Sequence, residues 1–275
     1  MYKILEKRIL NSEVTALTLD APLIAKKVQP GQFVIVRADE KGERVPLTVA
    51  DFDREKGTVT IIFQAIGFST KKLAKFNVGD SIADCVGPLG LATEFGTPKK
   101  AIVIGGGVGC AIAYPQAKAL YNMGVDTTVI AGFRNKDIVI LEDEMKAVSN
   151  QLFVTTDDGS YGTKGFVTDV LKDLISKDTY DLVIAIGPIP MMKFVSKTTE
   201  EQNIKTIVSL NPIMIDGTGM CGGCRVTVGG EVKFACVDGP DFDGHKVDFD
   251  ELMRRNSFYR GEEAHVCRLG AKENG

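Results

Sequence analysis

Three cysteines stand close together in the stretch DGTGMCGGCRVTVGGEVKFAC, residues 216–236, at spacings that suit metal ligands. Cys221 and Cys224 are separated by two residues, and eleven residues separate Cys224 from Cys236. Asp216 precedes Cys221 with four residues between them, so the stretch has the plant-type ligand spacing of a 2Fe-2S cluster with an aspartate in the first position. The sequence therefore predicts that Asp216 and three thiolates hold a metal centre.

Three interpretations of this stretch remain open: a 2Fe-2S cluster, a structural zinc ion with the same ligands, and buried cysteines without a metal. Zinc usually combines Cys-x2-Cys with histidine, but the nearest histidine, His245, lies nine residues beyond Cys236. The plant-type spacing therefore favours the cluster. Cys267, which follows Cys236 by 31 residues, is an alternative fourth ligand in place of Asp216.

A glycine-rich stretch follows the apolar segment KKAIVI and precedes a predicted helix that begins near residue 111. In this position backbone N–H groups can bind a pyrophosphate at the N-terminus of the helix. The alternative is a tight strand-to-helix turn without a ligand, because the spacing departs from G-x-G-x-x-G where Cys110 takes the place of the last glycine. We predict a nucleotide-binding loop that consists of Gly105, Gly106, Gly107, Val108 and Gly109.

Further nucleotide ligands are expected at the carboxyl ends of the strands, where open α/β sheets bind their ligands. Carboxylates after the third predicted strand can accept hydrogen bonds from ribose hydroxyls but repel a 2′-phosphate, whereas an arginine after the second strand would favour that phosphate. NAD(H) is therefore predicted in preference to NADP(H). The candidate residues are Arg134, Asp157, Asp158, Gly187, Pro188 and Met191.

The elements that must position these residues fall into three regions. From residue 1 to 98, short β-branched runs separated by turn residues predict an antiparallel β-barrel. From residue 99 to 210, apolar strands alternate with helical segments, which predicts a doubly wound α/β domain with a parallel sheet. Residues 211–275 lack this pattern and are predicted to be a small cluster-binding segment that ends in a short helix, DFDELMRR, and a polar tail.

Composition narrows the class of function. The 275 residues carry a net charge of −3 without a basic patch, which argues against a nucleic-acid partner. Neither a signal peptide nor a long apolar run is present, so we expect a soluble cytoplasmic protein without a membrane partner. No Ser/His/Asp set is recognisable, so no catalytic acid or base is predicted. Cys85 and Cys110 have apolar or glycine-rich neighbours and are predicted to be small buried hydrophobes.

The order of these parts resembles the ferredoxin-NADP reductase superfamily over roughly the first 210 residues. The barrel region carries RVPLT at 44–48 and AIGFST at 65–70, and the sheet that follows opens on GGGVG and closes on GPIPMM. The resemblance implies that the barrel binds FAD or FMN and that hydride passes between a nicotinamide and this flavin.

Residue by residue, the resemblance implies a flavin site in the barrel. Arg44 would contact the phosphates of the flavin nucleotide, Leu47 and Thr48 would lie along the isoalloxazine ring, and Ser69 and Thr70 would bind the diphosphate. The sequence departs from the Arg-x-aromatic-Ser pattern of the superfamily, because Leu47 takes the aromatic position and Arg44 lies one residue further from the hydroxyl residue. The predicted flavin residues are Arg44, Pro46, Leu47, Thr48, Gly67, Ser69 and Thr70.

Over its whole length the chain resembles two groups of electron-transfer subunits. One is the electron-transfer subunit of dihydroorotate dehydrogenase, in which the first cluster ligand is a cysteine. The other is the small (alpha) subunit of NADH-dependent reduced ferredoxin:NADP oxidoreductase, in which that ligand is an aspartate and segments such as TTDDGSYGTKGFVTDVL and IGPIPMMK are similar.

The second resemblance implies electron transfer between NAD(H), FAD and a 2Fe-2S cluster. The cluster would exchange electrons with a larger subunit that carries FAD and 4Fe-4S clusters, in a heterodimer that bifurcates electrons among ferredoxin, NADP and NAD. Two alternatives remain: the dihydroorotate dehydrogenase subunit, and a nucleotide-sensing module with a structural zinc.

Overall fold

The computed structural model describes residues 1–259, together with residues 261, 262 and 265. The first part of the chain alternates apolar and polar residues, which lets each strand bury one face. Its strands are β1 (Tyr2–Ile9), β2 (Val14–Asp20), β3 (Phe33–Arg37), β4 (Arg44–Asp53), β5 (Thr58–Gln64), β6 (Ser81–Ile82) and β7 (Asp84–Leu89), and its helices are α1 (Pro22–Ala25) and α2 (Phe68–Ala74).

These seven strands form a nearly closed antiparallel barrel in the order β6-β1-β2-β5-β4-β3-β7. Its core is filled by side chains such as Leu17, Val34 and Ile61, which are almost completely buried. The predicted flavin stretches lie on this barrel, because RVPLT begins β4 and GFST leads into α2. The barrel therefore places both stretches on one rigid support.

The middle of the chain forms a second sheet of seven strands. Its first six strands are β8 (Lys100–Gly106), β9 (Asp126–Phe133), β10 (Gln151–Thr156), β11 (Thr163–Lys164), β12 (Leu182–Ile186) and β13 (Lys205–Ser209). The helices that connect them are α3 (Cys110–Asn122), α4 (Glu142–Ala147), α5 (Val167–Lys177) and α6 (Ile189–Glu200), with a 3-10 turn at Gly107–Gly109 directly before α3.

Helices cover both faces of this sheet. Val103 and Val129 pack in one apolar cluster with α3, and Ile102 and Ile130 pack in the other with α5 and α6. Because these strands are buried on both faces, their sequences are continuous apolar runs, as expected for a parallel sheet. Within the described residues, no helix is both long enough and apolar enough to cross a membrane.

The C-terminal segment contains structure that the sequence pattern does not reveal. A hairpin of β14 (Arg225–Val228) and β15 (Glu231–Phe234) is followed by α7 (Ala235–Asp238), β16 (Asp241–Asp243) and α8 (Phe249–Arg255). Strand β16 pairs antiparallel with β13, which gives the second sheet the order β11-β10-β9-β8-β12-β13-β16. The cluster-binding segment is therefore joined to the nucleotide sheet through backbone hydrogen bonds.

A buried polar network joins all three regions of the chain. The hydroxyl of Thr93, after the barrel, donates to Oδ2 of Asp241 at 2.5 Å, and Nε2 of Gln116 on α3 donates to the Thr93 hydroxyl at 2.7 Å. Among the residues that the structure describes, Oδ1 of Asp241 and Oε1 of Gln116 have no hydrogen-bond partner, and both atoms are buried. Burial raises the pKa of Asp241 above its ordinary value of 3.8.

Replacing Asp241 with Asn is expected to stabilise the fold at neutral pH. Because the folded-state pKa of this acid is raised, the free energy of unfolding of the wild type falls as pH rises from the ordinary value of 3.8 towards the raised one. Asn removes the cost of ionisation, so the gain at about pH 8 is expected to be about 1 kcal/mol or more and to vanish below about pH 4. Denaturant unfolding at both pH values measures it.

The matched control is Asp143→Asn, which changes an exposed aspartate. It is expected to show no comparable gain with rising pH. An Asp241→Asn variant that is less stable than the wild type at about pH 8 would contradict the argument.

Candidate functional site

A cavity of about 820 Å³ opens at the carboxyl end of the second sheet. Its opposite wall comes from the barrel and includes Asn11, Glu13 and Gln64. Most of the predicted nucleotide residues line this cavity, which is large enough for a dinucleotide fragment. Those residues are Gly106, Gly107, Val108, Gly109, Arg134, Asp157, Gly187, Pro188 and Met191.

Two glycines of the predicted loop allow close packing against the end of β12. A methyl group on Gly106 would lie 2.5 Å from Sδ of Met191, and one on Gly109 would lie 2.5 Å from the carbonyl oxygen of Ile186. Gly105 does not line the cavity, since its Cα faces Cys110 at the start of α3. Gly106 and Gly109 thus bring the loop next to the residues that follow β12.

The two predicted aspartates have different surroundings. Asp157 lines the cavity, whereas Asp158 lies outside it and accepts hydrogen bonds from the backbone N–H and the hydroxyl of Ser160, at 2.9 and 2.7 Å. The bonds from Ser160 lower the pKa of Asp158 below its ordinary value. Of the pair, only Asp157 is therefore placed to meet a ribose in the cavity.

Sequence reasoning missed several residues of the cavity. Phe166 and Phe194 line it with 63% and 60% of their surface exposed, which is unusual for phenylalanine and suits stacking on a planar ring. The local signal that could have identified Phe166 is its position directly before the helical pattern VTDVLKDLISK, which forms α5. The barrel residues Asn11 and Gln64 gave no such signal, because only the tertiary fold brings them to the cavity.

The predicted flavin stretches lie side by side on the barrel. The hydroxyl of Ser69 donates to the carboxylate of Glu43, which directly precedes Arg44. The hydroxyl of Thr70 accepts from the backbone N–H of Gly67 at 3.1 Å and so closes the first turn of α2. Arg44 and the start of α2 are thereby brought to one region of the barrel surface.

Strand register decides which of the RVPLT side chains face outwards. In the pairing of β3 with β4, Phe33 lies opposite Thr48 and Ile35 opposite Pro46, so these four side chains share one face. Leu47 instead packs against the barrel core. The outer face therefore offers the side chains of Pro46 and Thr48, whereas Leu47 offers only its backbone there.

Two of the predicted metal ligands lie in contact. The sulfur atoms of Cys224 and Cys236 are 3.2 Å apart, and both residues are buried. Burial and the neighbouring thiol of Cys224 raise the pKa of the Cys236 thiol to about 12. A bound cation would offset this cost by favouring the thiolate. Cys221 is exposed on the same loop.

Asp216 organises the loop that carries Cys221. Its carboxylate accepts hydrogen bonds from the backbone N–H of Thr218 at 2.5 Å and from that of Cys221 at 2.8 Å. Hydrogen bonds from Thr218 and Cys221 lower the pKa of Asp216 to about 2. Among the described residues, no three His, Cys, Asp or Glu side chains are arranged to hold a metal ion. Cys267 lies outside the described residues.

The donor set fits an iron–sulfur cluster in its chemistry. One carboxylate and two thiols belong to one glycine-rich loop, the third thiol belongs to α7 beyond the β14–β15 hairpin, and thiolates are the usual ligands of such clusters. Cys224 and Cys236 pack against Phe33 and Ile35 of the barrel. The predicted cluster site therefore packs on β3, the strand that pairs with the predicted flavin stretch of β4.

Two family models match the chain. The iron-sulfur cluster binding domain of dihydroorotate dehydrogenase B matches residues 211–248, and the oxidoreductase NAD-binding domain matches residues 103–197. A dihydroorotate dehydrogenase B (NAD(+)) electron transfer subunit homolog from Thermotoga maritima is 47% identical, over 96% of this chain and 93% of the relative. The chain belongs to the family of dihydroorotate dehydrogenase B electron-transfer subunits and their homologues.

Two other proteins are also similar along nearly the whole chain. A solved structure of NADH-dependent reduced ferredoxin-NADP oxidoreductase, from a study of flavin-based electron bifurcation, is 45% identical, covers 98% of this chain and 97% of its own, and has a TM-score of 0.93. An uncharacterized protein in the adh 3′ region of Clostridium beijerinckii is 55% identical over 96% of this chain and 92% of the relative.

Family membership confirms much of what the sequence predicts. The fold class is confirmed, as is the assignment to an electron-transfer subunit of a flavin and iron–sulfur oxidoreductase that uses NAD. The expected burial of Cys85 and Cys110 is also confirmed, and desolvation raises the pKa of each thiol to about 12. The individual ligand residues and the domain boundaries remain predictions.

Replacing Gly217 with Ala is expected to lift the cluster loop from the barrel. Gly217 has a φ of +77°, and a methyl group there would lie 2.4 Å from Cδ1 of Ile35 and 3.1 Å from Cδ1 of Leu89. We expect a loss of about 2–4 kcal/mol in the free energy of unfolding, from overpacking together with backbone strain. Thermal unfolding and iron content per chain measure the effect.

The matched control is Gly230→Ala in the turn between β14 and β15. Gly230 has a similar φ of +81°, but a methyl group there would have none of the described residues within 4 Å apart from its chain neighbours. It should therefore show the backbone strain, about 1 kcal/mol, without the loss of iron. Equal losses in the two variants would mean that the contact with the barrel has no special importance.

Proposed function

We propose that this chain is the small subunit of an electron-bifurcating NADH/ferredoxin:NADP oxidoreductase. In that complex it would oxidise NADH or reduce NAD⁺, depending on the direction of electron flow. When bound, a nicotinamide supplies electrons in pairs as hydride, an iron–sulfur cluster exchanges them singly, and a flavin can do both. The observation that carries the proposal is the packing of Cys224 and Cys236 on Phe33 and Ile35 of the barrel. This contact supports direct electron exchange between a barrel-bound FAD and a 2Fe-2S cluster.

The three cofactors would bind to three different parts of the chain. On the barrel, the backbone N–H groups and hydroxyls at the start of α2, together with the Arg44 guanidinium, would hold the FAD diphosphate. On the second sheet, the glycine loop before α3 would hold the pyrophosphate of NAD(H), since its N–H groups lie at the N-terminus of a helix. In the C-terminal segment, Asp216, Cys221, Cys224 and Cys236 would hold the cluster.

The cavity supports NAD(H) rather than NADP(H). Asp157 on its wall can accept hydrogen bonds from a ribose and repels a 2′-phosphate. Glu13 adds a second carboxylate to the cavity from the barrel side, where its Oε2 accepts from Nε2 of Gln64 at 2.6 Å. Arg134 also lines the cavity and would attract a 2′-phosphate, but its single positive charge faces the two carboxylates of Asp157 and Glu13.

The partner would be a larger subunit that carries a second FAD and 4Fe-4S clusters and reacts with ferredoxin. The similarity to the solved NADH-dependent reduced ferredoxin-NADP oxidoreductase supports this partner. The second candidate is the electron-transfer subunit of a dihydroorotate dehydrogenase, which the identity with the subunit from Streptococcus mutans, 33% over 97% of that protein, favours. An aspartate in the first ligand position supports the first candidate, because the resemblance gives the dihydroorotate dehydrogenase subunit a cysteine there.

Anaerobic purification of the native complex tests the proposal. We expect FAD, iron and acid-labile sulfide without stoichiometric zinc, together with a larger flavin and 4Fe-4S subunit. The purified complex should also catalyse the NADH-dependent reduction of NADP with reduced ferredoxin. Zinc without sulfide would contradict the cluster, and dihydroorotate oxidation by the complex would establish the second candidate instead.

Substitution of Asp216 tests the fourth ligand. A carboxylate oxygen is a harder donor than a thiolate, so Asp216→Cys is expected to retain the cluster with a changed reduction potential, and Asp216→Ala to lower cluster content. Electron paramagnetic resonance and iron analysis measure both. Asp238→Ala is the control, since its carboxylate also accepts a backbone hydrogen bond, from Phe234, close to Cys236.

An unchanged cluster content and resonance signal in Asp216→Ala would place the fourth ligand elsewhere. Cys267 would then be the next residue to replace.

A further inference from the structure

Arg44 belongs to the predicted flavin stretch of β4 and also contacts the cluster loop. Its Nη2 donates a hydrogen bond to the backbone carbonyl of Asp216 at 3.1 Å, across 172 residues of sequence. Asp216 directly precedes Gly217, which is buried against Ile35 and Leu89 of the barrel. The guanidinium therefore holds the loop at the point where the loop turns onto the barrel.

The same loop depends on the backbone position of Asp216. The Asp216 carboxylate accepts from the N–H groups of Thr218 and Cys221, so a shift of the backbone at residue 216 would move both amides. Cys221 is one of the predicted ligands, and the loop continues into Cys224, which is buried against the barrel. A bond to the Asp216 carbonyl thus acts on the geometry of the whole ligand loop.

Arg44 can make this bond without giving up a phosphate contact. A guanidinium has five N–H donors in a planar fork, and the bond to Asp216 uses one of them. Ser69, at the start of α2, lies next to Arg44 through its bond to Glu43. Arg44 therefore lies near the start of α2, where the diphosphate is predicted to bind, and the bond to Asp216 leaves donors for it.

We propose that Arg44 is a positioning residue for the cluster loop, which it holds through the Asp216 carbonyl while its other donors serve the flavin phosphates. This inference rests on the proposed function for the identity of the two cofactors. It makes one side chain the mechanical connection between the flavin site and the cluster site. A lysine cannot replace it, because an ammonium group lacks the planar fork that reaches two acceptors on different sides.

Hydrogen exchange of the purified holoprotein tests this role, with Arg44→Gln and Arg44→Lys as variants. The peptide that covers residues 214–224 is expected to exchange at least about threefold faster in both variants. Glutamine lacks the charged donor, and the single ammonium of lysine cannot hold the Asp216 carbonyl and the phosphates together. The peptide that covers β8 should be unchanged. The cluster's resonance spectrum and midpoint potential should also shift in both variants.

Arg37→Gln is the matched control. Arg37 lies opposite Arg44 in the pairing of β3 with β4, but its guanidinium bonds to Asp84 and to the carbonyl of Glu40 instead of the cluster loop. It should leave exchange of residues 214–224 and the cluster spectrum as in the wild type. Wild-type protein stripped of flavin should also keep slow exchange in this peptide, because Arg44 still holds the carbonyl.

The outcomes separate this inference from the proposed function. Unchanged exchange and an unchanged cluster spectrum in Arg44→Gln would overturn the inference, even if FAD and the cluster are both present. Wild-type behaviour of Arg44→Lys would also overturn it, because positive charge alone would then suffice. Faster exchange in both variants of a protein that contains no flavin would support the positioning role and refute the proposed cofactor.

Discussion

The buried contact of Asp241 with Thr93 and Gln116 is the constraint on which the arrangement of this molecule depends. It brings together the segment after the barrel, helix α3 of the nucleotide sheet and strand β16 of the C-terminal segment. A different docking of these parts would leave further buried polar atoms of Thr93, Gln116 and Asp241 without partners, at a cost of about 1–3 kcal/mol each. Gly31 packs against both Thr93 and Asp241, so no side chain separates the barrel from the network.

This arrangement explains how a segment with little regular structure can hold a cofactor in a fixed place. Strand β16 ties one end of the segment to β13, and Cys224 and Cys236 pack on Phe33 and Ile35 at the other end. A redox site works only when its position relative to the neighbouring cofactor is fixed by the surrounding structure. The C-terminal segment obtains this rigidity from the two domains it touches, because its own hairpin is only two short strands.

The α/β half of the fold was accessible from sequence because its periodic signals are long. In VTDVLKDLISK, which forms helix α5, apolar residues recur at helical spacing, and the apolar run YDLVIAIGP contains β12. The C-terminal strands were missed because β14, β15 and β16 are three or four residues long and lie among glycines and aspartates. Strands of that length give too few alternations to be distinguished from a loop.

The residues of the candidate site are likewise of two kinds: some are recognisable from local sequence patterns, and others depend on the tertiary fold. The glycine loop and the cysteine spacing are local patterns, so the sequence identifies them as candidate binding residues without any knowledge of the fold. The direction of Leu47 depends on the register of β3 with β4, and the cavity wall at Glu13 depends on how the barrel meets the sheet.

Arg44 shows the limit of motif reasoning most clearly. The motif assigns it to a phosphate on the barrel, but in the part of the chain that the structure describes its guanidinium donates to a carbonyl 172 residues away. A motif names the neighbours that a residue has along the chain, whereas the coupling between two cofactor sites is set by neighbours that only the folded structure supplies.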